Sequence, residues 1–311
     1  MNVENAIEAV ELGYKERALG TAESPPRAWV NTPKGRLGAM LAYLGGMDAL
    51  GMKIISTYPD NAKIGYPTIG GTIALADAET GFLLSIMDGI YITAMRTGAA
   101  AAVATKYLAR NDAKKVAVVG RGVIGRSALT AIAKVRKLES VTVYDIIPYD
   151  AKKYVEEMEA KLRIPITSTQ DPDIAVRSAD IIVTATTSLN PVFHGEEIKP
   201  GVHINSMGWI SPESRELDNE TIKKAHKIVL DFWNDAIESA DIKVPINEGL
   251  ISKSSIYGEI GDIVSGKKAG RTSDEEVTVF KSVGVAAIDV STAKVAYDLA
   301  KKKGVGREIA L

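Results

Sequence analysis

Three glycines with the spacing G-x-G-x-x-G lie in the stretch VAVVGRGVIGRS, residues 116–127. An apolar run typical of a strand precedes them, and a pattern typical of a helix follows. In such a turn the first glycine permits the tight bend, the second lets the backbone approach a pyrophosphate, and the third lets the helix pack closely on the strand. We therefore predict a dinucleotide site rather than a glycine turn of some other α/β protein. The residues expected to contact the dinucleotide here are Gly120, Arg121, Gly122, Val123, Ile124 and Gly125.

An acidic residue follows this turn at a distance that suits a nucleotide. The next strand-like run, VTVYD, ends in Asp145, which is 20 residues past Gly125. A carboxylate in this place binds the adenosine ribose hydroxyls and repels the 2′-phosphate of NADP. We therefore expect NAD as the cofactor. NADP stays open, because Arg121, Lys152 and Lys153 could compensate the charge of Asp145.

Two cationic side chains interrupt apolar segments. Lys53, in the run GMKIIS, alternates with Met52 and Ile54, so its side chain is expected on the opposite face of the predicted strand. It either reaches solvent at a sheet edge or sits in a site that lowers its pKa. Arg96 lies on a helix of small apolar residues, where a charge needs a partner. That partner is either an acid such as Asp88, in a structural salt bridge, or the carboxylate of a substrate.

The first part of the chain is predicted to form a meandering sheet followed by a helix. From 27 to 87, five apolar runs alternate with turn residues: RAWVN, RLGAMLAYL, ALGMKIISTY, TIGGTIALAD and GFLLSIM. The link DAETG, residues 77–81, predicts a tight hairpin, and the alanine-rich residues 90–110 predict one long helix. A small sheet with one broad apolar face cannot cover itself. We therefore predict a homodimer formed through residues of 27–87 and closed by the last helix.

The pattern changes near residue 112. From 114 onward, strand-like runs such as KKVAVV, VTVYD and DIIVTATT alternate with helix-like runs, which is typical of β-α-β units and a parallel sheet. The last helix-like run, residues 285–303, is long and amphipathic and could close either part of the chain. The predicted fold class is α/β: a Rossmann-type dinucleotide-binding domain and an α+β domain before it.

Composition excludes several classes of function. With 46% apolar residues and a formal net charge of −1, the 311-residue chain has no strong basic field for nucleic acid or an anionic membrane. It has no cysteine, and His194, His203 and His226 lack the spacing of metal ligands, so we expect no metal site and read His194 and His203 as structural. No apolar run reaches the roughly 20 residues of a membrane helix, and no signal-peptide core opens the chain. We expect a cytoplasmic protein.

The chain as a whole resembles the ornithine cyclodeaminase/mu-crystallin family and, within it, most resembles the archaeal alanine dehydrogenases. The matching stretches span nearly the whole chain in the family's order: SPPRAWV, ALGMKIISTYP, ETGFLLSIMDG, ITAMRTGAAAAVATKYLAR, VAVVGRGVIG, KPGVHINSMG, ESRELD, GEIGDIVSGKKAGR and SDEEVTVFKSVGVAAIDV. The resemblance implies a substrate-binding and dimerisation domain at 1–112, completed by a C-terminal helix at 288–311. It implies a Rossmann NAD(P)-binding domain at 113–287.

The same resemblance implies roles for four residues. Arg27 and Arg96 match arginines that would clamp the carboxylate of a small amino, imino or keto acid. Lys53 matches the family lysine that polarises the substrate and moves protons, so it is the predicted catalytic residue. Thr97, beside Arg96, could offer its hydroxyl or its backbone to the pyrophosphate.

One position departs from the family pattern. Cyclodeaminases and archaeal alanine dehydrogenases carry an aspartate two residues after the glycine of the motif that follows HIN, whereas here Ile210 lies two residues after Gly208. Isoleucine can neither accept a proton nor pair with a substrate ammonium, which argues against a cyclodeaminase and also against an ordinary alanine dehydrogenase. Trp209 could shape a pocket for an apolar or planar substrate, or pack in the core.

The sequence therefore predicts an NAD(P)-dependent oxidoreductase that acts on a small α-amino acid or its imine or ketimine, as an alanine dehydrogenase or a ketimine reductase does. Two alternatives stay open. One is ornithine cyclodeaminase, which converts L-ornithine to L-proline and ammonia. The other is a cofactor-dependent binding protein with weak activity.

Overall fold

The computed structural model describes residues 1–147, 150–208 and 211–309. The helices are α1 (Val3–Leu19), α2 (Gly89–Leu108), α3 (Val123–Val135), α4 (Ala151–Leu162), α5 (Pro172–Arg177), α6 (Asn219–Lys224), α7 (Trp233–Ala236), α8 (Ala240–Asn247), α9 (Ile260–Val264) and α10 (Ala286–Lys303). The strands are β1 (Ala22–Glu23), β2 (Ala28–Thr32), β3 (Gly35–Leu44), β4 (Ala49–Thr57), β5 (Ile69–Ala76), β6 (Leu83–Asp88), β7 (Lys115–Val119), β8 (Ser140–Tyr144), β9 (Ile166–Ser168), β10 (Ile181–Thr184), β11 (His203–Ser206), β12 (Lys227–Leu230), β13 (Ile256–Glu259) and β14 (Thr278–Lys281).

The chain forms two compact units. The first is Met1–Arg96 together with the segment that begins at Val285, and the second is Thr97–Gly284. The C-terminal helix therefore belongs to the first unit.

The division falls inside α2, whereas the sequence placed it near residue 112. Packing explains the difference. Residues Ala99–Ala104 of this helix are fully buried, and Asn205 on β11 donates a hydrogen bond to Thr105 Oγ1 at 3.0 Å. The second half of α2 is thus part of the core of the second unit.

The first unit is built on an antiparallel sheet with the strand order β1-β3-β4-β5-β6, and β2 pairs with β3. The five strands predicted between 27 and 87 are confirmed as β2 to β6, and the predicted hairpin closes with Gly81 at φ +76°. One face of this sheet packs on α10. On that face Met40, Lys53 and Ile73 are neighbours in register, and none is more than 2% exposed.

The opposite face of this sheet is apolar and open. Leu41, Met52, Ala74 and Ile86 are aligned in register across β3 to β6. Leu41 is 45% exposed and Ile86 is 59% exposed. The broad apolar face that the sequence predicts is therefore present in the first unit.

The second unit is built on a parallel sheet with the order β13-β12-β14-β11-β10-β7-β8-β9. The predicted alternation of strands and helices is confirmed, and so is the α/β fold class. The chain runs from β7 outward to β8 and β9 and then returns to β10 on the other side of β7. Such a reversal opens a crevice at the carboxyl ends of the strands, where α/β proteins bind ligands.

None of the helices within the described ranges combines the length and the apolar character needed to cross a membrane. The cytoplasmic location stays a prediction.

Candidate functional site

A buried group of charges lies on the inner face of the first unit's sheet. Lys53 Nζ on β4 is 2.7 Å from Asp289 Oδ2 on α10, and Arg96 Nε on α2 donates to Asp289 Oδ1 at 2.9 Å. The side chains of Lys53 and Asp289 are 0% exposed, and that of Arg96 is 6% exposed. One carboxylate therefore bridges the two cations that the sequence singled out. We call Lys53, Asp289 and Arg96 the Lys53 cluster.

Lys53 does not reach solvent at a sheet edge. Its strand β4 lies between β3 and β5, and its side chain points into the core. Nζ pairs with Asp289 Oδ2, and within the described residues it has no further hydrogen-bond acceptor. An ammonium carries three N–H donors, so Lys53 has donors to offer to a ligand.

Burial lowers the pKa of Lys53 to about 7. The loss of water is the main cause; the charge of Asp289 opposes it, and the positive charges of Arg96 and Arg27 add to it. A group with a pKa near neutrality can both give and take a proton at working pH. Desolvation combined with specific charged neighbours is typical of functional lysines.

The partner of Arg96 is Asp289, and Asp88 has another role. Asp88 Oδ1 accepts a hydrogen bond from the backbone N–H of Ile90 at 2.8 Å, at the start of α2. A guanidinium that pairs through Nε can still present its Nη edge to a second carboxylate. The structural salt bridge and the substrate clamp, which the sequence left as alternatives, are therefore compatible.

Arg27 belongs to the same neighbourhood. It immediately precedes β2, is half-buried, and lies near enough to Lys53 for its charge to lower the lysine pKa. Arg27, Lys53 and Arg96 thus lie in one neighbourhood. Three cationic side chains together suit an anionic substrate.

Asp289 was missed by the sequence reasoning, although it holds the cluster together. It lies 193 residues from Arg96, so no local pattern joins the two. A signal did exist, because Asp289 stands in the apolar stretch GVAAIDV. The argument that a charge among small apolar residues needs a partner applies to it as it does to Arg96.

The glycine turn of the second unit has the geometry expected of a dinucleotide loop. Gly120 adopts φ +102°, and a Cβ there would lie 2.5 Å from Ala185 O. A Cβ at Gly125 would collide with Gly120 O. At Gly122, the N-cap of α3, an added Cβ would meet no atom within 4 Å. The fold itself therefore requires glycine at 120 and 125, whereas Gly122 leaves open space at the start of the helix.

The first turn of α3 begins at Val123 and Ile124, directly behind this open space, with no side-chain cap from Gly122. Unpaired N–H groups and the helix dipole favour an anion at such an end. Thr97 is buried in the second unit, and its neighbour Gly98 packs so closely that a Cβ there would collide with Ser127 of α3. Thr97 thus precedes the residue that packs on Ser127, in the second turn of α3.

Asp145 follows β8 and lines a surface cavity of about 500 Å³ with Arg121, Ser168 and Thr169. Its Oδ2 accepts the backbone N–H of Arg121 at 2.7 Å, and its Oδ1 accepts that of Ile147 at 3.0 Å. A carboxylate oxygen accepts two hydrogen bonds, so each oxygen keeps capacity for a ribose hydroxyl. The Arg121 guanidinium donates to the carbonyl of Ile147.

Two of the histidines pair with residues of the second unit. His203 is fully buried, its Nδ1 lies 2.9 Å from Thr278 Oγ1, and burial lowers its pKa to about 3. His194 is exposed and pairs with Asp173 at 2.7 Å. Among the described residues no group of side chains is suited to hold a metal ion. Trp209 and Ile210 lie outside the described residues.

Comparison with known proteins identifies the family. The family model named ornithine cyclodeaminase/mu-crystallin matches residues 1–304. A Δ1-pyrroline-2-carboxylate reductase of Bacillus cereus is 39% identical over 312 residues, which cover 99% of this chain and 96% of that protein.

Solved structures agree over the same length. The Δ1-pyrroline-2-carboxylate reductase of Thermococcus litoralis, in complex with NADH and L-proline, matches with a TM-score of 0.96 and 43% identity, covering 99% of this chain and 96% of its own. An archaeal alanine dehydrogenase dimer with bound NAD matches with a TM-score of 0.95 and 38% identity, covering 100% and 95%. The predicted resemblance is confirmed: the chain belongs to the ornithine cyclodeaminase/mu-crystallin family.

Proposed function

We propose that this protein is an NAD(H)-dependent oxidoreductase that interconverts a small α-imino acid and the corresponding amino acid, with a cyclic imine such as Δ1-pyrroline-2-carboxylate as its substrate. The observation that carries the proposal is the Lys53 cluster, a buried lysine with unmet donors and a pKa of about 7. The reductases among its relatives act on such an imine or bind its reduced form, L-proline.

Each residue of the site has one task in this reaction. Arg27 and Arg96 hold the substrate carboxylate, and Lys53 directs an N–H to the imine nitrogen. A bound nicotinamide supplies the hydride in reduction and takes it up in oxidation. Lys53 Nζ gives its proton to the nitrogen during reduction and recovers it in the reverse direction. Asp289 holds the lysine in place and favours its charged form.

A cyclic imine fits this set of residues better than an open-chain one. Reduction of a ring C=N adds one hydride and one proton and breaks no C–N bond. Formation or release of ammonia requires further proton transfers, to an amine or to a water molecule, and Ile210 replaces the family aspartate that would serve them. Alanine dehydrogenase is therefore the second candidate, favoured by 38% identity to an archaeal member.

The cofactor would lie along the turn from Gly120 to Gly125, with its pyrophosphate at the start of α3 and its adenosine ribose on Asp145. Asp145 favours NAD(H), since its carboxylate repels a 2′-phosphate. Arg121 uses its backbone N–H on Asp145 and its guanidinium on the Ile147 carbonyl, which limits its use as a phosphate ligand.

A direct test follows the absorbance of NADH or NADPH with purified protein and each of several substrates: Δ1-pyrroline-2-carboxylate, its six-membered homologue, and pyruvate with ammonia. L-ornithine with NAD tests the cyclodeaminase alternative through the ammonia and proline released, because that reaction forms no net NADH. We expect the highest kcat/KM with a cyclic imine and NADH. Tight NADH binding without turnover of any substrate would favour the binding-protein alternative and contradict this proposal.

We also propose that two copies pair through the open face of the first unit's sheet. Leu41 and Ile86 are large, exposed and aligned in one row with Met52 and Ala74, and isologous pairing would bury this row. Replacing Leu41 and Ile86 by glutamate should give a monomer in light scattering. The matched control is Ile174→Glu on α5, an equally apolar exposed position of the second unit. A wild-type monomer at micromolar concentration would contradict the proposal.

A further inference from the structure

A second group of buried charges lies at the strand ends of the second unit. Thr184, Ser206 and Lys281 are the last residues of β10, β11 and β14, are paired in register, and are 0% exposed. Paired residues of neighbouring strands project to the same face of a sheet. Glu216 and Asp241, also 0% exposed, meet them there. We call these five residues the Glu216 network.

The Glu216 carboxylate is surrounded by donors. Oε2 accepts hydrogen bonds from Thr184 Oγ1 at 2.6 Å, Ser206 Oγ at 3.1 Å and the backbone N–H of Gly208 at 2.8 Å. Oε1 accepts the backbone N–H of Thr186 at 2.7 Å and its Oγ1 at 2.9 Å. Two of these donors are backbone groups that follow β10 and β11.

Lys281 fixes the backbone segment that follows β11. Its Nζ donates to Gly208 O at 2.9 Å and lies 2.7 Å from Asp241 Oδ2, while Asp241 Oδ1 accepts the backbone N–H of Glu216 at 2.7 Å. Gly208 is thus held at its nitrogen by Glu216 and at its oxygen by Lys281. A Cβ on Gly208 would collide with the Glu216 carboxylate and with Thr186 O, so the two held segments are in direct contact.

The two backbone segments that follow β10 and β11 border the crevice that opens where the strand order reverses. The segment after β10 touches the glycine turn, since a Cβ on Gly120 would lie 2.5 Å from Ala185 O. Asp145 marks the adenosine side, beyond β8. A dinucleotide that starts at Asp145 and crosses the turn therefore brings its nicotinamide half to the ends of β10 and β11, where Thr186 and Gly208 are fixed.

We propose that Glu216 is a positioning residue for the nicotinamide half of the cofactor. It fixes the backbone at Thr186 and Gly208, against which the nicotinamide ring and its ribose would rest. This inference rests on the proposed function, because it requires a nicotinamide dinucleotide as the ligand. Burying two carboxylates and an ammonium is costly, and apolar side chains would hold strand ends at lower cost. What the network adds is one defined backbone arrangement at the crevice.

The test compares NADH with ADP, which has the adenosine half and the pyrophosphate but neither the nicotinamide nor its ribose. Calorimetry and the fluorescence of bound NADH give the two dissociation constants for wild type, Glu216→Gln and the milder Thr184→Val. The matched control is Asp180→Asn. Asp180 is 7% exposed and accepts the backbone N–H groups of Lys114 and Lys115 at the amino-terminal edge of the same sheet.

We expect Glu216→Gln to weaken NADH binding about tenfold, or ~1.4 kcal/mol, and to leave ADP binding unchanged. Thr184→Val should shift the ratio of the two constants in the same direction by less, and it decides the matter if Glu216→Gln does not fold. Asp180→Asn should leave the ratio unchanged. An unchanged ratio in Glu216→Gln and Thr184→Val, or an equal loss of both ligands, would overturn the inference. A wild type that binds neither ligand would instead refute the proposed function.

Discussion

Two buried lysines, one in each unit, form the same ion pair in different surroundings. Lys53 and Lys281 are both 0% exposed, and each lies 2.7 Å from the carboxylate of an aspartate. Lys281 also donates to Ser206 Oγ and Gly208 O, so the protein itself uses its ammonium. Lys53 has no partner besides Asp289 within the described residues. Lys281 can therefore hold a backbone in place, whereas Lys53 has donors to give to a ligand.

The balance of charge around the two lysines also differs. Lys281 is joined to two carboxylates, Asp241 directly and Glu216 through Ser206. Lys53 shares the carboxylate of Asp289 with one arginine and lies close to another. Excess positive charge lowers the pKa of a buried lysine and attracts an anion. Burial of a lysine alone thus does not point to a catalytic role; the role proposed for Lys53 rests on its spare donors and on its cationic neighbours.

The largest expected effect is on turnover. If Lys53 moves the proton of the imine nitrogen, Lys53→Ala should lower kcat by about 10²- to 10⁴-fold while NADH binding is retained. Lys53→Arg should not restore the rate, because a guanidinium keeps its proton at working pH. Steady-state kinetics with the imine found in the substrate screen measure both variants. Near wild-type turnover in Lys53→Arg would mean that Lys53, like Lys281, has a structural role and transfers no proton.

The second effect is on stability, and it should differ between the two lysines. Lys281→Met leaves the Glu216 and Asp241 carboxylates without their ammonium and should lower the free energy of unfolding by about 3–5 kcal/mol. Lys53→Met leaves Asp289 paired with Arg96 and removes a poorly solvated charge, so we expect no loss of stability. Urea unfolding at pH 7 compares the two variants; an equal loss in both would contradict the distinction.

The pH dependence of stability sharpens the same test. The pKa of Lys53 is about 7 in the folded protein against 10.5 for an ordinary lysine. The folded state therefore binds fewer protons between these values, and the destabilising contribution of Lys53 is complete below pH 7 and fades as the pH rises toward 10.5. The free energy of unfolding of wild type should accordingly rise relative to that of Lys53→Met as the pH is raised from 7 toward 10.5.

The two sites also differ in how far the sequence could predict them. Strand alternation placed Lys53 on the face opposite to Met52 and Ile54, and the family resemblance joined it to Arg27 and Arg96. Asp289 was not found, because only the packing of α10 on the sheet brings it to Lys53. The fold class and the elements were predictable from local patterns. The division inside α2 was not, since it depends on which core buries the alanines.

Sequence patterns could not predict the Glu216 network. Thr184, Ser206 and Lys281 come from strands far apart in the chain, and only the register of three parallel strands aligns them. Glu216, in ESRELD, was noted as part of a family match with no role of its own. Local pattern predicts where a strand lies, but pairing between strands decides which polar residues meet.

The smallest expected effect is a pair of opposite pKa shifts. Asp289 raises the pKa of Lys53 and Arg27 lowers it. Asp289→Asn should therefore move the pKa seen in kcat/KM below that of wild type, and Arg27→Gln should move it above. Rate profiles against pH measure both. Shifts in the same direction would mean that the charges around Lys53 do not control its protonation.

The most direct test of the account is the pH dependence of kcat/KM of the wild-type enzyme in both directions of the reaction. With Lys53 as the proton donor, imine reduction should fall above pH ~7 and amino-acid oxidation should rise through the same pH, because the first needs charged and the second neutral Lys53. The matching change should be absent from the residual activity of Lys53→Ala. A change near 10.5, the ordinary pKa of lysine, or one that persists in Lys53→Ala, would contradict the central claim.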